Sequence, residues 1–320
     1  MYYFLGSLLK SAYLYNKAGV FLKIKFMADS ASDISRNDAE IHNIEILPIL
    51  IRMDGKFYRD FYDFTPHEYY RYLYGNWETL PTTSLVTPEK FLESFEKAYS
   101  DGYDGIIFSA LNSRASGTYQ SSEIAKKLFF ETKRDREFKI EVIDSGLYAF
   151  LIGAVVIMGT KMHAAGTPYD EIVSFMRARF KRMRAYAVVY TLDFLKRTGR
   201  IDGIASVVGK MLDIKPLIFI GDGTLCSSDK VRGRRKSLQR MVDLVKRDID
   251  EAADTLYIIR GDMDEETNEV VEMLKNELPG LKFEYSNIGS VIATHSGPNL
   301  LGIAFYRRED CEIPETGVNE

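Results

Sequence analysis

SALNSRASGTYQSS, residues 109–122, follows the apolar run Ile106-Ile107-Phe108 and leads into EIAKKLFF, residues 123–130. A strand that ends in hydroxyl and glycine residues and then enters a helix predicts an α/β protein whose helix start faces the strand end. The first turn of such a helix offers unpaired N–H groups and the positive end of its dipole, and Ser or Thr hydroxyls add donors. Gly117 removes a side chain where an anion would have to approach the backbone. The stretch has no GxxxxGK[ST] lysine and no GxSxG elbow, so it reads as a cradle that holds one small anion without attacking it. The plainer reading is a capped helix after a strand.

Working outward, strands alternate with helices. KIKFMA (23–28) ends in Asp29-Ser30-Ala31-Ser32-Asp33, GIIFSAL (105–111) precedes a helix at 119–130, and IEVIDS (140–145) precedes a small-residue helix at 147–165. This order predicts a mostly parallel sheet with helices on both faces. Ligands collect at the carboxyl ends of such strands, so Asp29-Ser30, Ser109 to Gly117 and Asp144-Ser145-Gly146 should converge. Ile46 to Ile51 reads as one strand before the hairpin signal Asp54-Gly55. Thr65-Pro66, Thr87-Pro88 and Thr167-Pro168 each read as an N-cap followed by proline at N1. Glu68 completes a capping box with Thr65, and Asp170 takes the same place after Thr167.

The second half holds a helix (170–184), strands at 185–192, 215–220 and 255–262, and helices at 232–252 and 264–278. KFEYSNIGSVIATHSG reads as a last strand ending at His295. At 320 residues the chain has room for two α/β domains, each with its own core. The expected division is an N-terminal extension at 1–22, an N-terminal α/β domain at 23–165, a C-terminal α/β domain at 166–308 and an acidic tail at 309–320.

Composition is that of a soluble globular protein, 46% apolar and 28% charged. The net charge of −4 and the absence of a helix-turn-helix pattern argue against a nucleic-acid partner. Cys226 and Cys311 are far apart and form no CxxC, which fits a reducing cytoplasm and excludes a cysteine-based zinc site. No HExxH occurs and the four histidines are dispersed, so no metal is expected. Residues 1–22 are apolar and aromatic but interrupted by Lys10 and Lys17. They read as an extension ahead of the first strand, with a transient amphipathic contact at a membrane as the other reading.

Further candidate sites are few. Pro81-Thr82-Thr83-Ser84 places three hydroxyls in a row before the helix at Thr87, a pattern that binds carboxylates or forms a turn. His295, flanked by Thr294, Ser296 and Gly297, is presented where His42, His67 and His163 read as structural. Its hydrogen bond to an anion would contribute roughly 1.5–3 kcal/mol. Arg177 to Arg184 read as a solvated helix face. Lys230, Arg232, Arg234, Arg235 and Lys236 follow the turn Gly221-Asp222-Gly223 and suit either a solvated face or an anionic partner. Arg200, in LKRTGRI, could also reach an anion.

MADSASDIS, PTTS, SRASGTYQSS, IEVIDS, LKRTGRI, IKPLI…DGTL…KVRGRRK and HSGP, in this order over residues 23–307, together resemble the DegV family. The resemblance implies two α/β domains with a ligand tunnel between them that takes one long-chain fatty acid. It implies a non-catalytic lipid-binding subunit, with no catalytic residues and no cofactor, that presents the carboxylate to a separate ATP-binding kinase subunit for conversion to acyl phosphate. Carried over by motif, Thr83, Ser84, Ser116, Gly117 and His295 hold the carboxylate, and Arg200 and Arg232 lie toward the kinase or the transferred phosphoryl group. Arg114-Ala115, Thr198 and Asn299 depart from the family pattern. The alternative is a phosphatase or phosphotransferase using the strand-end Asp29.

Overall fold

The computed structural model describes residues 22–76, 78–133, 137–199 and 214–308. Strands β1 (Ile24–Asp29), β2 (Ile44–Leu47), β6 (Gly105–Ala110) and β7 (Lys139–Asp144) form a parallel sheet in the order β2-β1-β6-β7. β3 (Leu50–Met53), β4 (Lys56–Arg59) and β5 (Thr82–Thr83) form a small antiparallel sheet beside it. Ile46 to Ile51 is therefore two strands in two sheets, a break placed by Pro48, which has no N–H to give to a ladder. The hairpin at Asp54-Gly55 forms as expected, with both residues at positive φ.

Six strands of the second half make a mixed sheet in the order β10-β9-β8-β13-β11-β12: β8 (Met183–Val189), β9 (Ile214–Gly221), β10 (Thr224–Arg232), β11 (Thr255–Arg260), β12 (Lys282–Asn287) and β13 (Leu300–Tyr306). Within this sheet, among the described strands, only β11 and β12 pair in parallel.

The helices are α1 (Arg36–Ile41), α2 (Pro66–Gly75), α3 (Pro88–Ser100), α4 (Thr118–Lys133), α5 (Phe150–Ala164), α6 (Tyr169–Arg182), α7 (Asp193–Arg197), α8 (Arg234–Asp248), α9 (Asp264–Glu277) and α10 (Ser290–Ser296). Thr65 caps α2 in a complete capping box with Glu68, and Thr87 caps α3. Thr167 does not cap α6, whose first helical residue is Tyr169 behind Pro168. Asp170 instead pairs with Lys139 at 3.1 Å.

Side-chain alternation fixes the layers. Met27 and Phe108 face α3, where the Phe91 and Phe108 rings lie 4.8 Å apart. Phe26 faces α5 at Gly159. Along β11, Tyr257 and Ile259 join the core of the first half, while Leu256 and Ile258 join a second core under α8 and α9. α5 thus lies between the two sheets: Phe150 meets the Tyr257 ring at 6.1 Å and Tyr306 Oη donates to Met158 Sδ at 3.3 Å. Its apolar residues on every side follow from that double burial.

Candidate functional site

The strand ends do converge. Leu111 N–H donates to Asp29 Oδ2 at 2.7 Å and Ala31 N–H to Asp29 Oδ1 at 3.1 Å, tying β1 to β6. Asp144 accepts from Ser113 N at 3.1 Å, from Gly146 N at 3.0 Å and from the Ser113 hydroxyl, tying β6 to β7. Asp29 is fully buried, and burial pushes its carboxyl up to about 7. With both oxygens accepting backbone N–H groups, it is a structural tie and has no room to attack a phosphoester. The phosphotransferase alternative therefore has no geometric support at this residue. Among the described residues, no group of three His, Cys, Asp or Glu side chains could hold a metal ion.

On the loop after β6, Ala115 N and Ser116 N donate to Asn112 O at 3.0 and 3.2 Å. This tight turn aims Ser116 at the start of α4. Ser116 Oγ accepts from Thr118 N at 3.3 Å and lies 3.0 Å from Thr118 Oγ1. Ser116 thus sits just ahead of the helix and takes its first N–H, with a second hydroxyl beside it. Gly117 is where a neighbouring segment closes in, since a Cβ there would meet Leu85 Cδ2 at 2.9 Å. Val86 N donates to Thr118 Oγ1 at 3.4 Å, fastening the same segment to the loop.

That segment begins at β5. Thr83 pairs with Ile51 on β3, and Ser84 N donates to Leu50 O at 2.9 Å. The Ser84 hydroxyl is exposed and turned to Leu85 O at 3.1 Å. Thr83 Oγ1 lies 3.0 Å from His295 Nε2, a hydrogen bond between residues 212 apart in sequence. Sequence placed His295 after a strand, but β12 ends at Asn287 and His295 is in the last turn of α10. Gly297 ends that helix at φ 75°, with the Phe194 ring filling the place of any side chain.

Thr83, Ser84, Ser116, Gly117 and His295 are therefore brought together along one chain of contacts. Sequence reasoning missed four residues behind them. Thr118 supplies the second hydroxyl at α4. Thr294 Oγ1 lies 2.5 Å from the buried Tyr69 hydroxyl, and Tyr70 donates to Ile288 O. Thr294 adjoins His295 in a hydroxyl-rich run, which was a usable signal, whereas Tyr69 and Tyr70 read only as core.

Arg200 lies outside the described residues. Arg232 is exposed at the end of β10. Arg234 and Arg235 are engaged with α9, Arg234 reaching Glu266 at 3.1 Å and Arg235 reaching Glu269 at 3.6 Å. The run at 177–184 is not a plain solvated face. Arg177 pairs with Glu141 and Arg182 with Asp250, and Arg184, 1% exposed, pairs with Asp222. Arg179 covers the Phe175 and Tyr306 rings at 5.0 and 4.7 Å. Of these, Arg177 reaches across to the first half, whereas Arg182 and Arg184 pair within the second.

Each departure from the family pattern has a contact. The Arg114 guanidinium extends to Gly223 O at 3.4 Å, joined there by Asn112 Nδ2 at 3.1 Å. Thr198 Oγ1 donates to Phe194 O at 2.7 Å, and Asn299 Oδ1 accepts from Tyr74 at 2.7 Å.

A cavity of about 350 Å³ opens at the other end of α10, lined in part by Asp33, Asp60, Phe61, Phe64, Phe150 and Tyr285. Burial pushes the Asp60 carboxyl up to about 6 and Asp33 well above the usual range. Hydrogen bonds from Ser30 and Ser290 oppose the shift at Asp60. No helix among the described residues is long and apolar enough to cross a membrane.

Residues 23–308 match a family model described as "Uncharacterised protein, DegV family". A DegV domain-containing protein of Caldanaerobacter subterraneus subsp. tengcongensis is 35% identical over 89% of this chain and 99% of its own length. A solved structure from Eubacterium ventriosum, described as a stearic acid-binding protein, superposes with a TM-score of 0.80 at 27% identity, covering 89% of this chain and 98% of its own. The Streptococcus pneumoniae fatty acid kinase B3 protein, loaded with linoleic acid, shares the fold at a TM-score of 0.76 and 18% identity, covering 90% of this chain and all of its own. Sequence, fold and the ordered motifs agree: this chain belongs to the DegV family.

Proposed function

We propose that this protein binds one long-chain fatty acid in a tunnel between its two halves, the units 23–165 and 166–308. The carboxylate is held by Thr83, Ser84, Ser116, the Gly117 backbone and His295. The observation that carries this reading is the Thr83–His295 hydrogen bond, 3.0 Å long, which joins the two halves, the segment after Thr83 running on to the hydroxyl-bearing start of the 16-residue helix α4. Hydroxyls, an imidazole and a helix N-terminus suit a small anion. A fatty acid is the anion favoured by the family resemblance and by the stearic acid-binding relative.

Burial of the tail supplies the affinity. At roughly 0.8 kcal/mol per CH₂, a chain of about 15 methylenes offers on the order of 12 kcal/mol, which leaves sub-micromolar binding after association costs. The head-group site then needs only to set orientation. Presentation to a separate ATP-binding kinase subunit, in the cytoplasm and with at most transient membrane contact, rests on the resemblance. The lack of a phosphate-cradling lysine motif in the sequence accords with a non-catalytic role.

Mass spectrometry of the denatured protein, purified from a bacterial host, tests the binding. Co-purified or added palmitate or oleate at one per chain is expected, and neither retention nor uptake would refute the proposal. With the partner kinase added, Ser116→Ala combined with His295→Ala should abolish acyl-phosphate formation while the fold persists. Unchanged output would overturn the assigned roles.

A further inference from the structure

We infer that Asp33 and Asp60, at the opposite end of α10 from His295, are positioning residues that seat this helix and so set His295 against the head group. The inference rests on the carboxylate site proposed above. α10 is only seven residues long, and its N-cap, Gly289, provides no side-chain cap. A helix of about 10 Å with an uncapped start does not hold itself; its pose is dictated by what it docks against.

The docking surface belongs to the first half of the chain. α10 packs on the one-turn helix Ser30–Ser32, on α2 and on β5, as well as on α7. The Asp33 carboxyl fills the space where a Gly289 side chain would stand, with Ser30 O close behind. Asp60, 3% exposed, lines the same cavity wall as Ser30, Gly289 and Ser290, and the Ser290 N–H and hydroxyl favour its charged form. Two acids from the first half thus serve the first turn of a helix in the second half. The last turn is fixed separately, by Tyr69 on Thr294 and by Phe194 on Gly297. His295 lies between these clamps, and its hydrogen bond to Thr83 can hold only while the helix keeps its register.

Burying two carboxyls to seat seven residues is unfavourable unless the placement matters. An apolar contact would anchor α10 to the core but would not fix its rotation about its own axis. Polar contacts of Asp33 at Gly289 and of Asp60 at Ser290 do.

The test compares palmitate with hexadecanol, which has the same tail and no carboxylate. Titration of delipidated protein should show the wild type preferring palmitate by tenfold or more, on the order expected for hydrogen bonds to a charged group. Asp60→Ala and Gly289→Ala should remove most of that preference while hexadecanol binding stays unchanged. Asp60→Asn, which keeps an acceptor for Ser290, should retain it. Wild-type discrimination persisting in both Asp60→Ala and Gly289→Ala would overturn the inference, as would a parallel loss of both ligands, the mark of a merely structural role. Absence of any palmitate preference in the wild type would instead refute the carboxylate site itself.

Discussion

Asp29 and Asp60 are buried acids whose pKa values, about 7 and about 6, stand well above the 3.8 of a free aspartate. The folded protein therefore keeps protons that the unfolded chain releases between about pH 4 and pH 7. Their contribution to stability is fully present below the unfolded pKa and is lost as pH rises through the folded values. Each pKa unit corresponds to about 1.4 kcal/mol, so a loss of a few kcal/mol is expected. Thermal unfolding followed from pH 5 to pH 8 should show Tm falling with pH, and Asp60→Asn should flatten that slope and raise Tm at pH 8. An equally steep fall in the variant would remove Asp60 from the account. Thr83, Ser116 and His295 were legible in the sequence because hydroxyls and a histidine crowd positions where a packed side chain would be apolar. Tyr69 and the seating role of Asp60 were not, since each depends on a partner more than 200 residues away.

α5 and α10 show what a local pattern does and does not convey. The run FLIGAVVIMG, at Phe150–Gly159, has no polar face, and the helix it forms is buried against both sheets. Small residues let it approach: a Cβ at Gly153 would meet Ser32 O at 2.7 Å and Ile34 Cγ1 at 2.8 Å. Because one obstacle is backbone, the neighbours cannot simply rotate away. Gly153→Val should destabilise by about 1–3 kcal/mol, as overpacking does, and push α5 off the turn at Ser30–Ser32. Denaturant unfolding would read this as a lower midpoint at unchanged slope, and a wild-type midpoint would contradict the packing argument. By contrast, Ser290–Ser296, SVIATHS, carries the β-branched Val291, Ile292 and Thr294, which favour a strand. Docking on the first half overrides that preference, which is why the helix bearing His295 reads as strand in the sequence. Thr167 misled for a simpler reason: a Thr-Pro pair can start a helix one residue later than its cap would require.

At the scale of the molecule, the two halves are distinct in their strands and continuous in their core. The parallel sheet and the small sheet use residues before 145, and the mixed sheet uses residues after 182. Yet Ala185, Ile218, Tyr257, Ile259 and Ala304, on the inner face of the mixed sheet, belong to the same apolar cluster as Phe26, Ile107 and Val155. The alternation of strands and helices made the layers legible, while this sharing was not, because α5 looks like the last helix of the first half. Arg177–Glu141 and the Arg114–Gly223 contact add polar ties across the same seam. Separating the halves would expose the whole inner face, so they should unfold together. Calorimetry is expected to show one transition, with the calorimetric and van't Hoff enthalpies equal. A ligand held in the seam, as proposed, would stabilise both sides at once: fatty acid at 100 times its Kd would add about 2.7 kcal/mol, a rise on the order of 5 °C for a chain of this size. That rise should move the single transition as a whole. Two resolved transitions, or a shift confined to one of them, would show that the halves hold their cores independently and that the ligand belongs to one of them alone.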